Sequence, residues 1–387
     1  MNYSTIKIIY VEMKSLLLFA VMCFVNQCGA SGLIGSELVF AHIVVRHGDR
    51  NVLYPFGSTD PFSNETKYWP DGYGALTNEG RQQQYEVGLY LAKRYKKFIG
   101  NGYHRDKIYV RSTDVDRTLI SAAHILAGMF PPTKKQIWNK KLGQVWHAIP
   151  IHTIPEIDDF VLATKRPCPR YKAARHRIDH SDEVKAVVAD HAEYFKNLTD
   201  LSGKPIIKID DVNTLYQILT VQKLKKLEPF PEWAEDLITK GSLMENITNY
   251  KHSFYGSTTE MARIRPGFLF KEILERFSKK ANGTLDPDRS LHLYSAHDIT
   301  IANILGGLGV FDDPHIPPYS SCVFFELHKT GENYHIEIYY KKERGADKRP
   351  LQPLKLRCGT MCPLNEFYKA YNDILPTGDY DTECKLV

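Results

Sequence analysis

The chain has 387 residues, of which 43% are hydrophobic and 25% charged, and its formal net charge is +5. That composition excludes disordered and fibrous classes and leaves room for one large or two medium domains. The positive excess suits an anionic small molecule but is too slight for a nucleic-acid surface, so no nucleic-acid partner is expected.

In chain order, Lys7 and Lys14 flank a weakly basic start, and the run from Ser15 to Val25 is apolar. Cys28, Gly29 and Ala30 then supply the small residues of a cleavage site. Residues 1–30 are therefore expected to be a signal peptide, the apolar centre being short for a membrane span. The destination implied is secretion to the extracellular space, without a membrane anchor. Removing Cys23 and Cys28 would leave Cys168, Cys322, Cys358, Cys362 and Cys384, an odd set that includes at least one thiol outside any disulfide. Cys358 and Cys362 are close enough for a small local loop, and no second Cys or His pair with metal-ligand spacing accompanies them, which favours a disulfide over zinc. Sequons at Asn64, Asn197, Asn246 and Asn282 are candidate glycosylation sites behind such a signal.

Three apolar runs read as strands: Leu38–Val45, Lys107–Val110 and Ser290–Tyr294. The first is apolar apart from His42, as in a strand buried on both faces. Each is followed by residues at helical spacing: Tyr85, Leu89, Ala92, Tyr95 and Ile99; then Leu119, Ala122, Ala123, Leu126 and Met129, stopped by Pro131-Pro132; then Ile299, Ala302, Asn303 and Leu305. Strands alternating with amphipathic helices predict an α/β fold, a three-layer sandwich around a largely parallel central sheet. Residues 156–282 turn charged and helix-rich, which predicts a mainly helical cap inserted between catalytic-domain segments 31–155 and 283–387. Residues 321–340 return to strand-like alternation, and the mixed charges of 341–349 read as a solvated loop.

In parallel sheets ligands bind beyond the carboxyl ends of the strands, near helix N-termini. The three strand ends carry Arg46-His47-Gly48-Asp49-Arg50, Arg111-Ser112-Thr113-Asp114 and Ser295-Ala296-His297-Asp298. If the strands are neighbours, Arg46, Arg50, Arg111 and His297 form one phosphate-binding rim. The planar guanidinium matches phosphate oxygens, and neighbouring arginines keep His47 neutral and able to attack phosphorus. Gly48 is expected to let the backbone approach the phosphate, and Asp298 is the nearest acid for the leaving alkoxide. Each residue alone has a plainer reading: Arg46 or Arg111 as a pairing residue, and Asp298 as a first-turn helix acid. Their joint placement at strand-to-helix junctions favours the site.

The segments Arg46–Arg50, Val110–Thr118 and Ser295–Asp298 together resemble the signature of the histidine acid phosphatases. With Trp69–Thr77, Phe130–Pro132 and Pro317–Cys322, the stretch from about Glu37 to Cys384 is similar to the animal prostatic and lysosomal branch rather than to the phytases. The resemblance implies an acid phosphatase hydrolysing small phosphate monoesters through a phosphohistidine on His47. Asp298 is then the proton donor, Arg46, Arg50, Arg111 and His297 hold the phosphate, and no metal or other cofactor is needed. It also implies disulfides Cys168–Cys384 and Cys358–Cys362, and a homodimer as a possible assembly. Two positions depart from the pattern: Val52 replaces a proline, and the cysteine that would partner Cys322 is missing between Asn213 and Leu219, so Cys322 is expected as a buried thiol. Two further functions compete: a secreted small-ligand scavenger reusing the pocket, and a phosphoglycerate-mutase-like transferase. The intact residue set weighs against the first, and the export signal against the second.

Overall fold

The computed structural model describes residues 35–100, 102–143, 146–163, 165–342 and 350–386. The expected signal peptide and residues 343–349 of the charged loop lie outside the described residues. The strands are β1 (Glu37–Arg46), β2 (Ile108–Ser112), β3 (Leu291–Ala296), β4 (Cys322–Thr330), β5 (Asn333–Lys341) and β6 (Cys362–Pro363). They form a six-stranded sheet in the order β2-β3-β1-β4-β5-β6. β1 and β2 both pair parallel with β3, whereas β4, β5 and β6 join antiparallel. The three runs read as parallel strands are thus neighbours, and the alternating C-terminal segment supplies the antiparallel side.

β1 shows why both faces must be covered. Phe40 and Val44 enter one apolar core, while Ala41, Ile43 and Val45 enter the other, and all are fully buried. This period of two follows from the pleat. One face is covered by α1 (Asn78–Ile99) and α2 (Asp116–Met129), whose buried residues include Leu91, Tyr95, Ile125 and Leu126. Thr77 caps α1 by accepting from the Gly80 amide at 3.1 Å. The two helices approach through facing glycines: a Cβ on Gly88 would sit 2.1 Å from the Ile125 carbonyl oxygen, and one on Gly128 would sit 2.3 Å from that of Tyr85. The other face is covered by α8 (Thr259–Ile264), α9 (Pro266–Ala281) and α10 (Asp298–Leu308).

Between these lie α3 (Pro169–Asp179), α4 (Asp182–Asp190), α5 (Ala192–Ser202), α6 (Ile209–Leu224) and α7 (Leu243–His252). Their apolar residues form a separate core with Leu198, Val212, Leu219, Met244 and Ile247, joined by Val52, Phe56, Phe62 and Trp69 from the loop after β1. The helix-rich segment 156–282 is therefore divided in its packing. α9 sits with the sheet, because Phe268, Leu269, Ile273 and Phe277 share the core of Phe40 and Val44. Val52, the departure from proline, is buried in the cap core.

Disulfides join Cys168 to Cys384, across 216 residues, and Cys358 to Cys362. Cys322 is buried and in neither disulfide, and its Sγ lies 3.3 Å from the Ser320 carbonyl. Asn64, Asn197, Asn246 and Asn282 are all exposed. Among the described residues, no helix is long and apolar enough to cross a membrane.

Candidate active site

The loop after β1 is stitched to the ends of its neighbours. The His47 amide donates to the Ala296 carbonyl at 3.0 Å, and the Ser320 amide donates to the His47 carbonyl at 3.2 Å. Gly48 has a steric task within the fold itself. A Cβ there would lie 2.4 Å from the Gly80 carbonyl oxygen, and one on Gly80 would lie 2.2 Å from that of Asp49. The glycine lets the start of α1 press against this loop. Lys225, just beyond α6, pairs with Asp49, and Arg50 donates to Gln217 of α6 at 3.3 Å, so the cap grips the same segment.

His47 Nδ1 lies 2.8 Å from the Gly48 carbonyl oxygen. A carbonyl only accepts, so Nδ1 carries the proton and the lone pair is on Nε2. Burial first, then Arg46, Arg117, His297 and Arg50, hold this imidazole well below its ordinary range. His47 is thus a neutral ring with a defined tautomer.

It borders a cavity of about 420 Å³ shared by the sheet rim and the cap, also lined by Arg50, Arg117, Lys165, His252, His297 and Asp298. Arg46 backs this floor: it reaches Asp298 at 2.7 Å and the Pro317 carbonyl at 2.5 Å, and it stacks over Tyr319 at 4.2 Å. Burial works to raise the Asp298 carboxyl, but Arg46, then His47, His252 and Arg50, outweigh it and hold it below the usual carboxylate range. In the free protein Asp298 is therefore a carboxylate.

Arg111 stands apart from the other residues predicted for the phosphate rim. Its side chain leaves β2 on the face opposite the buried Val110 and pairs with Asp159 at 2.7 Å and Glu272 at 3.6 Å. Asp159 Oδ1 also accepts from the Val161 and Leu162 amides at 3.0 Å each. The group is a buried structural ion pair and does not line the cavity. The arginine of this segment that lines the cavity, beside Arg50, is Arg117, in the first turn of α2. Burial first, then Arg50 and Arg46, bring it down to about 10, with Asp298 acting in the opposite sense. Its Nε is buried without a partner, and among the described residues neither Arg50 nor Arg117 has a carboxylate within ion-pair distance. Crowded cations lacking a counter-charge form a site for an anion. A signal was legible: a cation in a helix's first turn opposes the macrodipole, so its presence there asks for a negative ligand.

His297 is placed differently from a simple phosphate clamp. Arg117 Nη2 lies 3.4 Å from its Nδ1, and Thr113 Oγ1 lies 3.0 Å from its Nε2. An arginine can only donate, so Nδ1 accepts and Nε2–H donates to Thr113. Burial first and Arg117 next lower the ring to about 3, so it is neutral. The ring therefore orients Arg117 while bordering the cavity 5.6 Å from the His47 ring.

The contrast between the two arginines is testable. Arg117→Ala should cut kcat/KM for a phosphate monoester by about 10²–10³-fold with an unchanged or raised Tm, since it removes charge repulsion. Arg111→Ala strands Asp159 in the interior and should cost about 3–5 kcal/mol of stability. Thermal unfolding and initial rates on both variants check the pair, and the opposite pattern would reverse the assignments.

A neutral, aimed imidazole beneath unpaired arginines, with a carboxylate alongside, defines a histidine phosphatase. The chain belongs to the histidine phosphatase superfamily (branch 2), whose family model matches residues 37–341. Human prostatic acid phosphatase is 34% identical over 357 residues, covering 91% of this chain and 89% of the relative. Human lysosomal acid phosphatase is 33% identical over 355 residues, covering 90% and 81%. Among solved structures, Klebsiella phytase superposes with a TM-score of 0.64 at 16% identity over 91% of this chain and 100% of that one, a likeness of fold alone. The chain is thus a phosphatase of α/β fold.

Proposed function

We propose that the protein is an exported acid phosphatase that works through a phosphohistidine on His47. The observation that carries this reading is the Nδ1–Gly48 contact, which leaves the Nε2 lone pair for phosphorus. Arg50 and Arg117 bind the equatorial phosphoryl oxygens, and Arg46 holds Asp298 at the rim. The bond from Nε2 to phosphorus forms as the ester P–O bond breaks, and the leaving oxygen takes a proton from Asp298. Asp298 then accepts a proton from water as water's oxygen attacks phosphorus and the P–N bond breaks, which frees inorganic phosphate and His47.

Asp298 is ionised in the free protein, so its proton must arrive with the substrate. A bound phosphate offsets the arginine field and raises the carboxyl, and a monoanionic ester carries a proton to hand over. Phosphate monoesters lose that proton near pH 6. His47 stays neutral well below pH 6.5 because its pKa is lowered. kcat/KM should therefore hold from roughly pH 6 down into the acid range, and fall about tenfold per unit above it. A rate profile on an alkyl and an aryl monoester, with trapping of an acid-labile phosphoprotein, tests both halves. An alkaline optimum, or a phosphoprotein stable in acid, would remove the proposal.

The apolar run at residues 15–25 and the paired cysteines favour export, as do prostatic and lysosomal relatives. The four exposed sequon asparagines are proposed as glycan sites.

A further inference from the structure

We propose that the β4–β5 hairpin carries a binding site for a divalent transition cation of the zinc class, remote from the phosphate cavity. The sequence places Glu326 and His328 two residues apart on β4, and His335 and Glu337 two residues apart on β5. The antiparallel register pairs His328 directly with His335 and Glu326 with Glu337. Directly opposed side chains project to the same face with Cβ atoms about 4.5–5.5 Å apart. The four groups therefore form a square on the face that α1 partly covers.

Within it, the ligating atoms of His328, His335 and Glu337 all lie within 4.8 Å of one another. His335 Nε2 is 3.3 Å from Glu337 Oε1, and His328 Nε2 is 3.8 Å from Glu337 Oε2. Ligands held at about 2.0–2.2 Å around a tetrahedral ion stand roughly 3.3–3.6 Å from each other, so the His335–Glu337 pair already has that spacing and the remaining pairs, within 4.8 Å, need only small side-chain rotations to close on an ion. Two imidazoles and a carboxylate form a donor set that suits zinc over calcium or magnesium.

The surroundings hold these ligands in place. Tyr339 donates its hydroxyl proton to Glu337, and Glu326 is fixed by Arg94 at 2.8 Å and by the Tyr95 hydroxyl at 2.5 Å. The other Glu326 oxygen lies 3.3 Å from His328 Nε2, where it can accept from a water in the fourth position. The His328 and Glu337 side chains keep 14% and 13% of their surface, which leaves the ion a path in. None of these residues borders the phosphate cavity.

The full chain, stripped with a chelator and dialysed against ZnCl2 at neutral pH, should retain about one zinc per molecule. His328→Asn/His335→Asn should retain none, with its p-nitrophenyl phosphate kcat within about twofold of the parent. Glu337→Gln serves as a second, near-isosteric variant, with zinc affinity at least about tenfold weaker. Replacing zinc with Co²⁺ should give visible absorption bands in the parent that are lost in both variants. If the parent retains no zinc, or the variants retain as much as the parent, the hairpin is only a His–Glu hydrogen-bonding ladder.

Discussion

Replacing His47 with alanine should leave a folded protein whose turnover of p-nitrophenyl phosphate is lower by roughly 10⁴–10⁶-fold. The size of the loss follows from what the cavity retains. Arg50, Arg117 and Asp298 would still bind and polarise the ester, but of the two other histidines lining the cavity His252 comes from the end of the cap helix α7 and not from the loop after β1. The His297 ring uses both nitrogens, one toward Arg117 and one toward Thr113. Far-ultraviolet circular dichroism and phosphate release, measured on the same preparation, separate lost chemistry from lost structure. A variant within tenfold of the parent, still trapping phosphoprotein, would place the nucleophile elsewhere.

Asp298→Asn is expected to have a large effect that depends on the substrate. For alkyl phosphates, whose alkoxide leaves poorly without a proton, kcat should fall about 10²–10⁴-fold. For p-nitrophenyl phosphate the first step should survive, while hydrolysis slows for want of a base to accept water's proton. Phosphoenzyme should then accumulate, seen as a burst of nitrophenol in rapid-mixing experiments. The asparagine can still accept from Arg46, so the 2.7 Å contact need not collapse. Equal losses on alkyl and aryl esters would show that Asp298 holds Arg46 in place and does not transfer a proton.

The sheet was legible because burial on both faces leaves mainly apolar runs, interrupted by His42 in β1 and His292 in β3, and the strand ends then located the rim of the cavity bordered by His47, His297 and Asp298. Arg111 shows the limit of that reasoning. The strand-end rule selects a position along the chain, but the pleat decides which face the side chain takes, and Arg111 faces Asp159 and Glu272. Arg117 begins the following helix, so its side chain returns to the rim. Its number lies within the segment Val110–Thr118 that carried the family likeness, yet residue type alone does not separate it from Arg111. The cap's contribution was less visible. Gln217 and Lys251 reach the cavity from helices whose sequence pattern reports only their own packing, and Tyr255 reaches it from the turn after α7. The placement of α9 was obscured for a related reason: an amphipathic helix shows that it has an apolar face, but not which core that face enters.

The separate apolar core of the cap has a consequence for how such a protein can change over generations. The cavity residues Gln217 and Lys251 sit on helices packed around Leu198, Val212 and Met244, whereas His47 and Asp298 hang from strand ends. Variation in the cap can therefore alter which alcohol fits while the phosphorus chemistry stays constant. Descendants of one ancestral chain could then part ways in diet or tissue through a handful of cap substitutions, inheriting the reaction unchanged.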